Sequence, residues 1–240
     1  MLIIENNCHD TAYNFSVEEF FTRYLRKEIP VLMIWQTDKT VMLGNNQVVN
    51  DEVDINLANN AGIKIIRRSS GGGAIYTDMG TVLYTVIQPL LSEAKTHKEE
   101  VAASIIAALN KMGIPAVREG RNDILLNNRK ISGFAQYTSG KHICTHGSLL
   151  FDTDLELLSD VLIVNEEKLF PKGITSIRSR VTNIKPFLGG CSVNEFINLL
   201  KNTLLSGRDV SAYVLSDDEQ DEINKIKNEK YANDEWNLRM

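Results

Sequence analysis

Between residues 116 and 151 the chain falls into four short runs, AVRE, DILL, RKISGFAQY and HICTHGSLLF, separated by Gly and Asn turns such as Asn127-Asn128 and Ser139-Gly140. Strand-length runs joined by turns this short predict an antiparallel meander. Upstream, KEEVAASIIAALNKM (98–112) carries an apolar stripe at Val101, Ile105, Ala108, Leu109 and Met112, with Gly113 as a C-terminal stop. That spacing predicts a helix packed on the sheet.

The other segments add strands and helices in mixture. VEEFFTRYLRK (17–27) has helical spacing at Val17, Phe20, Phe21, Tyr24 and Leu25, with Ser16 as N-cap and Glu19 three residues on. VLMIW (31–35) and TVML (40–43) predict strands joined by QTDK, and 63–66 predicts a strand that runs straight into Arg67 and Arg68. AIY (74–76) and TVLYTVI (81–87) predict a hairpin closed by Asp78-Met79-Gly80. Residues 155–161, 193–205 and 217–230 predict helices, the second with Ser192 as N-cap and Glu195 at the capping-box position. Cys8-His9-Asp10 reads as a loop. The class is α+β (mixed α/β), and 240 residues with 43% hydrophobic content suit one large domain spanning 1–240.

A net charge of −5, from 26 Lys+Arg against 31 Asp+Glu, argues against a protein that coats nucleic acid. No apolar run approaches the roughly 18 residues of a membrane span, and MLIIENN has no basic leader, so the expectation is a cytoplasmic protein without a membrane partner. Cys8, Cys144 and Cys191 are too few and too scattered for a disulfide framework or a cysteine zinc site.

The candidate chemistry sits in RRSSGGGAIYTD (67–78). Gly71, Gly72 and Gly73 read either as a flexible turn or as a cradle in which backbone N–H groups meet an anion. No Lys-Ser/Thr pair follows as in a P-loop, and a strand rather than a helix comes next, unlike a dinucleotide fingerprint. Because strand side chains alternate, one of Arg67 and Arg68 is expected to face a ligand and the other to take a structural ion pair. GRND (120–123) reads as a turn, or places Asp123 near Mg²⁺ if polyphosphate binds. Lys130 reads as an edge charge unless Gly133 and Gln136 keep it company at a site. Cys144 and His146 share strand parity but show no third group that would make a nucleophile pair. Arg178 and Arg180 share parity as well, and serve either an anion or carboxylates.

RRSSGGGAIYTD, GRNDILLNNRKISGFAQ, THGSLLF and KGITSIRSRVTNI occur in an order and spacing that resemble the lipoate-protein ligase A family over nearly the whole chain. The resemblance implies a fold like the catalytic domain of biotin ligases, a mixed, mostly antiparallel sheet flanked by helices. It implies a ligase that converts lipoate and ATP to lipoyl-AMP, with Mg²⁺ at Asp123, and then acylates a lysine of a lipoyl domain or a glycine-cleavage H protein. It places Lys130 in catalysis, and Arg68, Gly71, Gly72, Gly73, Ala74, Ile75, Tyr76, Asp78, Asn122, Gly133, Ala135, His146 and Gly147 around the adenylate. The dithiolane is expected in an apolar channel near the first helix and the glycine loop.

Thr77 stands where the family usually has His, and Asn45 where it usually has Arg. Family members commonly continue past an EWN sequence into an accessory domain; here EWN lies at 235–237, so that domain is expected to be absent from this chain or supplied separately. A cysteine-dependent octanoyl or lipoyl transferase using Cys144, and a non-catalytic lipoyl-adenylate or acceptor-binding module, are the alternatives.

Overall fold

The computed structural model describes residues 1–24, 29–163 and 180–239. The predicted meander forms as β7 (Ala116–Glu119), β8 (Asp123–Leu126), β9 (Arg129–Ser139) and β10 (His142–Leu150), all antiparallel. Asn127 and Asn128 have φ of 50° and 61°, the pair of left-handed residues that a two-residue hairpin loop requires.

The meander continues through β6 (Thr81–Pro89), β2 (Val31–Trp35), β1 (Leu2–Ile4) and β11 (Ser211–Tyr213) into a sheet of order β11-β1-β2-β6-β10-β9-β8-β7. β11, β1 and β2 pair in parallel and the rest antiparallel. A smaller sheet holds β3 (Thr40–Leu43) between β4 (Lys64–Arg67) and β5 (Ile75–Thr77).

Alternation along the central strands sends side chains to two cores. On one face Leu32, Ile34, Val82, Tyr84 and Val86 meet α4 (Ala94–Lys111) and, through Phe196 and Leu200, α6 (Val193–Leu205). On the other, Val31, Met33, Trp35, Leu83 and Ile87 meet Phe15, Phe20 and Phe21 of α1 (Thr11–Tyr24) and Ile223 and Ile226 of α7 (Asp217–Ile226). The small sheet packs its own cluster against α2 (Val49–Glu52), α3 (Ile55–Asn60) and α5 (Leu155–Val161). No described helix is long and apolar enough to cross a membrane.

Three expectations change. α1 starts at Thr11, with Asp10 accepting from the Ala12 amide, and Ser16 lies inside it bonding back to the Ala12 carbonyl; Leu25 and Lys27 lie outside the described residues. β5 and β6 are no hairpin: β5 pairs with β3, and Asp78-Met79-Gly80 carries the chain from the small sheet to the large one. The last long helix stops at Ile226 and continues as a π-helical turn, Lys227–Tyr231, before α8 (Asp234–Asn237).

Candidate active site

Between α1, the small sheet and the meander lies a cleft of about 170 Å³. Phe15, Trp35, Met42, Ile75, Leu83 and Phe134 supply its apolar walls, while Arg68, Gly72, Gly73, Asn122, Asp123, Lys130 and His146 supply its polar side.

Lys130 owes its aim to a break in strand pairing. Ile124 faces Ser132 but Leu125 faces Lys130, so Ile131 is an extra residue, a bulge of the kind that redirects side chains. The Lys130 ammonium then lies 2.8 Å from Oδ1 of Asp123, whose Oδ2 is 2.6 Å from Arg180. Gly133 makes room for it, since a Cβ there would sit 3.1 Å from Nζ. Both oxygens of Asp123 are thus engaged by cations. The carboxylate expected to hold Mg²⁺ does not fit that role as folded, and Arg180 takes a carboxylate rather than an anion.

The two arginines of the loop divide their work differently from expectation. Arg67, fully buried, donates to the carbonyls of Gly44, Asn45, Gln47, Trp236, Asn237 and Arg239 rather than to a carboxylate. Arg68 faces the cleft, yet its guanidinium is turned inward. Nε donates to Ser70 Oγ at 3.0 Å, Nη1 to Met42 O at 2.9 Å, and Nη2 to the carbonyls of Gly71 and Gly73 at 2.9 and 2.8 Å. Burial lowers it to about 10 against an attraction from Glu18 that raises it, so it stays charged at neutral pH. Gly72 holds φ of 101°, which favours glycine. Among the described residues the amides of Gly71, Gly72 and Gly73 donate no hydrogen bond, leaving bare N–H groups on an exposed loop.

Residues 10–205, most of the chain, match the family described as lipoyl protein ligase A/B catalytic domain. The chain belongs to that family. Lipoate-protein ligase LplJ of Bacillus subtilis (strain 168) is 34% identical over 99% of this chain and 73% of its own length. A bi-partite lipoate protein ligase from Thermoplasma acidophilum, studied with its E2 lipoyl domain, aligns with a TM-score of 0.86 at 27% identity, covering 99% of this chain and 95% of that one. A lipoate-protein ligase A bound with ATP shares the fold with a TM-score of 0.85 at 24% identity, covering 99% and 97%. This lipoyl protein ligase domain is therefore an enzyme of the lipoate-protein ligase class, with the biotin/lipoate ligase fold that the sequence motifs implied.

Within this ligase the cleft gathers Arg68, Gly72, Gly73, Ala74, Ile75, Asn122, Asp123, Lys130, Gly133, Ala135, His146 and Gly147. Three other residues named from the sequence lie off it. Gly71 is exposed and does not line the cleft; Tyr76 points by strand alternation into the small-sheet core; and Asp78 ties the crossover, accepting from the Gly80 and Asp154 amides. Thr77 is buried against Thr37 and Thr40, and Asn45 accepts from Arg67 and Arg239, so neither departure faces the cleft. Arg178 lies outside the described residues.

Cys144 shares a face with His146, as parity implied, but it is fully buried, and burial followed by repulsion from Glu18 pushes its thiol well up. Cys144 does not line the cleft, and its burial and raised thiol both count against the cysteine-dependent transferase.

Sequence reasoning missed Phe15, Glu18 and the true role of Glu19. With a helix starting at Thr11, Phe15, Glu18, Glu19 and Thr22 stand at i, i+3, i+4 and i+7, so two carboxylates fall on the buried face. Glu19 accepts from Lys230 and Tyr231, and Ser69 bonds both Glu19 and Tyr231. Acidic residues on an apolar stripe are the signal that would have found them.

Proposed function

We propose that this protein activates lipoate with ATP to lipoyl-AMP and passes the lipoyl group to a lysine amine of an acceptor lipoyl domain or glycine-cleavage H protein. The observation that carries the reading is one apolar cleft ending at the Lys130 ammonium and the free amides of the glycine loop. At about 170 Å³ it is smaller than the roughly 300–1,000 Å³ of a drug-sized pocket. That suits an acyl chain inside and the nucleotide at the rim. ATP enters the reading through the family and through the related ligase solved with ATP.

In the first step a lipoate carboxylate oxygen attacks the α-phosphorus and the bond to pyrophosphate breaks. In the second a lysine amine attacks the lipoyl carbonyl carbon, AMP leaves with the bonding electrons, and the amine loses a proton. Both steps concentrate negative charge on oxygens near the acyl–phosphate junction. A fixed ammonium and preset N–H donors stabilise that charge without covalent chemistry. Asp123 aims the Lys130 ammonium, and the apolar walls hold the chain in line.

The test mixes the protein, ATP, Mg²⁺ and lipoate with lipoyl-domain and H-protein acceptors and reads pyrophosphate release and acceptor mass. A lipoyl mass shift on one acceptor supports the reading; no pyrophosphate from ATP sinks it. Lys130→Ala is expected to keep its melting temperature, because Asp123 retains Arg180, and to lose at least about 99% of transfer.

A further inference from the structure

Beneath the glycine loop a chain of hydrogen bonds joins α1, three strands and the loop. Trp35 Nε1 donates to Thr85 Oγ1 at 3.0 Å, and Thr85 Oγ1 donates to one oxygen of Glu18. The other oxygen of Glu18 lies 2.8 Å from His146 Nδ1, His146 Nε2 lies 2.6 Å from Ser70 Oγ, and Ser70 Oγ accepts from Arg68 Nε. All six side chains are buried.

A carboxylate only accepts, so Nδ1 of His146 is the donor to Glu18, and Ser70 Oγ, which accepts from Arg68, shares a second hydrogen bond with Nε2. Glu18 and Arg68 thus stand at the two ends of a bridge made by His146 and Ser70, through which a buried guanidinium without a direct carboxylate partner is joined to one. The order Ser-His-Glu matches a hydrolase triad. Ser70, however, is fully buried, does not line the cleft and carries the Arg68 bond on its oxygen, so it is no nucleophile.

We propose that Glu18 is a positioning residue: through His146 and Ser70 it orients Arg68, and Arg68, by holding the carbonyls of Gly71 and Gly73, sets the direction of the loop's free amides. In a trans peptide the N–H points opposite the preceding carbonyl, so these two contacts turn the Gly72 and Ala74 N–H groups away from the guanidinium. The kinetic arm of the test rests on the ligase reading above; the spectroscopic arm does not.

In ¹⁵N-labelled protein, the four histidines allow His146 to be assigned with one His146→Asn variant. The wild type is expected to show an Nδ1–H held in a hydrogen bond to Glu18, and Glu18→Gln to weaken that bond and speed water exchange of the Arg68 Nε proton at least tenfold. Glu18→Gln and Ser70→Ala are each expected to lower kcat for pyrophosphate release at least tenfold with the lipoate KM within twofold. The double variant should be no worse than the stronger single. Ser70→Ala carries the kinetic test alone if Glu18→Gln does not fold. Multiplicative losses in the double variant, an unprotonated Nδ1 in the wild type, or unchanged Arg68 exchange in Glu18→Gln each overturn the proposal. If the wild type releases no pyrophosphate, the ligase reading falls and the spectra decide the relay by themselves.

Discussion

Gly133 and Lys130 show how one missing methyl group can serve a reacting centre. A Cβ on Gly133 would lie 3.1 Å from Nζ and 3.2 Å from Cε of Lys130, closer than carbon normally allows, and the atom that must yield is the end of a flexible side chain. Gly133→Ala should therefore fold normally but shift the ammonium. A misplacement approaching 1 Å can cost about a hundredfold in rate, so transfer is expected to fall about tenfold with an unchanged melting temperature, read by acceptor mass and by calorimetry. Cys144 provides the opposite case. Its thiol is buried away from the cleft, so Cys144→Ser is expected to lipoylate at near the wild-type rate, and a dead variant would return a cysteine thioester to consideration.

At the scale of elements, α1 is the piece on which the site leans, and its two adjacent glutamates are tied in opposite directions. Glu18 reaches the loop through His146, while Glu19 fastens the helix to the π-helical turn through Lys230 and Tyr231. Burial, the largest single influence, pushes Glu19 up, but hydrogen bonds from Lys230 and Tyr231 together with the attraction of Lys230 and Arg23 hold the group below its usual range. A lowered folded value means the stabilisation is complete above the unfolded value of about 4.3 and disappears as pH falls through the folded one. Glu19→Gln is expected to cost about 2–3 kcal/mol at neutral pH, less than the 3–5 of a fully buried pair because Lys230 is partly exposed. The gap between wild type and variant in urea midpoint should narrow below about pH 4, and a gap independent of pH would show that charge plays no part. The meander, α4, α5 and α6 were legible in the sequence because periodicity, caps and turn residues agree there. The start of α1 was not, since Ser16 with Glu19 three residues on looks like a capping box although it lies one turn inside the helix, on its buried face. The supposed hairpin failed for another reason: alternation identifies a strand but not the sheet it joins.

Across the whole molecule, the residues of the candidate site were legible as motifs, but what holds them in place was not, because the supports come from distant segments. Arg67 is the clearest instance. Its guanidinium gathers carbonyls from residues 44–47 and from Trp236, Asn237 and Arg239, while Trp236 Nε1 donates back to the Arg67 carbonyl. Lys230 and Arg239 lie 4.3 and 4.1 Å from the Trp236 ring, so the indole is braced by cation–π contacts. The 44–47 loop in turn bonds the glycine loop through Asn45 N to Ser70 O, and a Cβ on Gly44 would meet Gly72 O at 2.0 Å. The C-terminal segment, the 44–47 loop and the glycine loop therefore form one mechanical unit. Arg67→Met keeps the apolar stem and removes every donor, leaving buried carbonyls unsatisfied at roughly 1–3 kcal/mol each before water and relaxation recover part of it. A net loss of at least about 3 kcal/mol is expected. Amide exchange should accelerate at 44–47 and 69–75 while α4 and α6, which pack on the opposite face of the large sheet, keep their protection. Trp236→Ala should reproduce the same exchange pattern more weakly, because it removes the brace but leaves the guanidinium. Uniform acceleration over the whole chain would mean that Arg67 supports global stability and not the loops in particular.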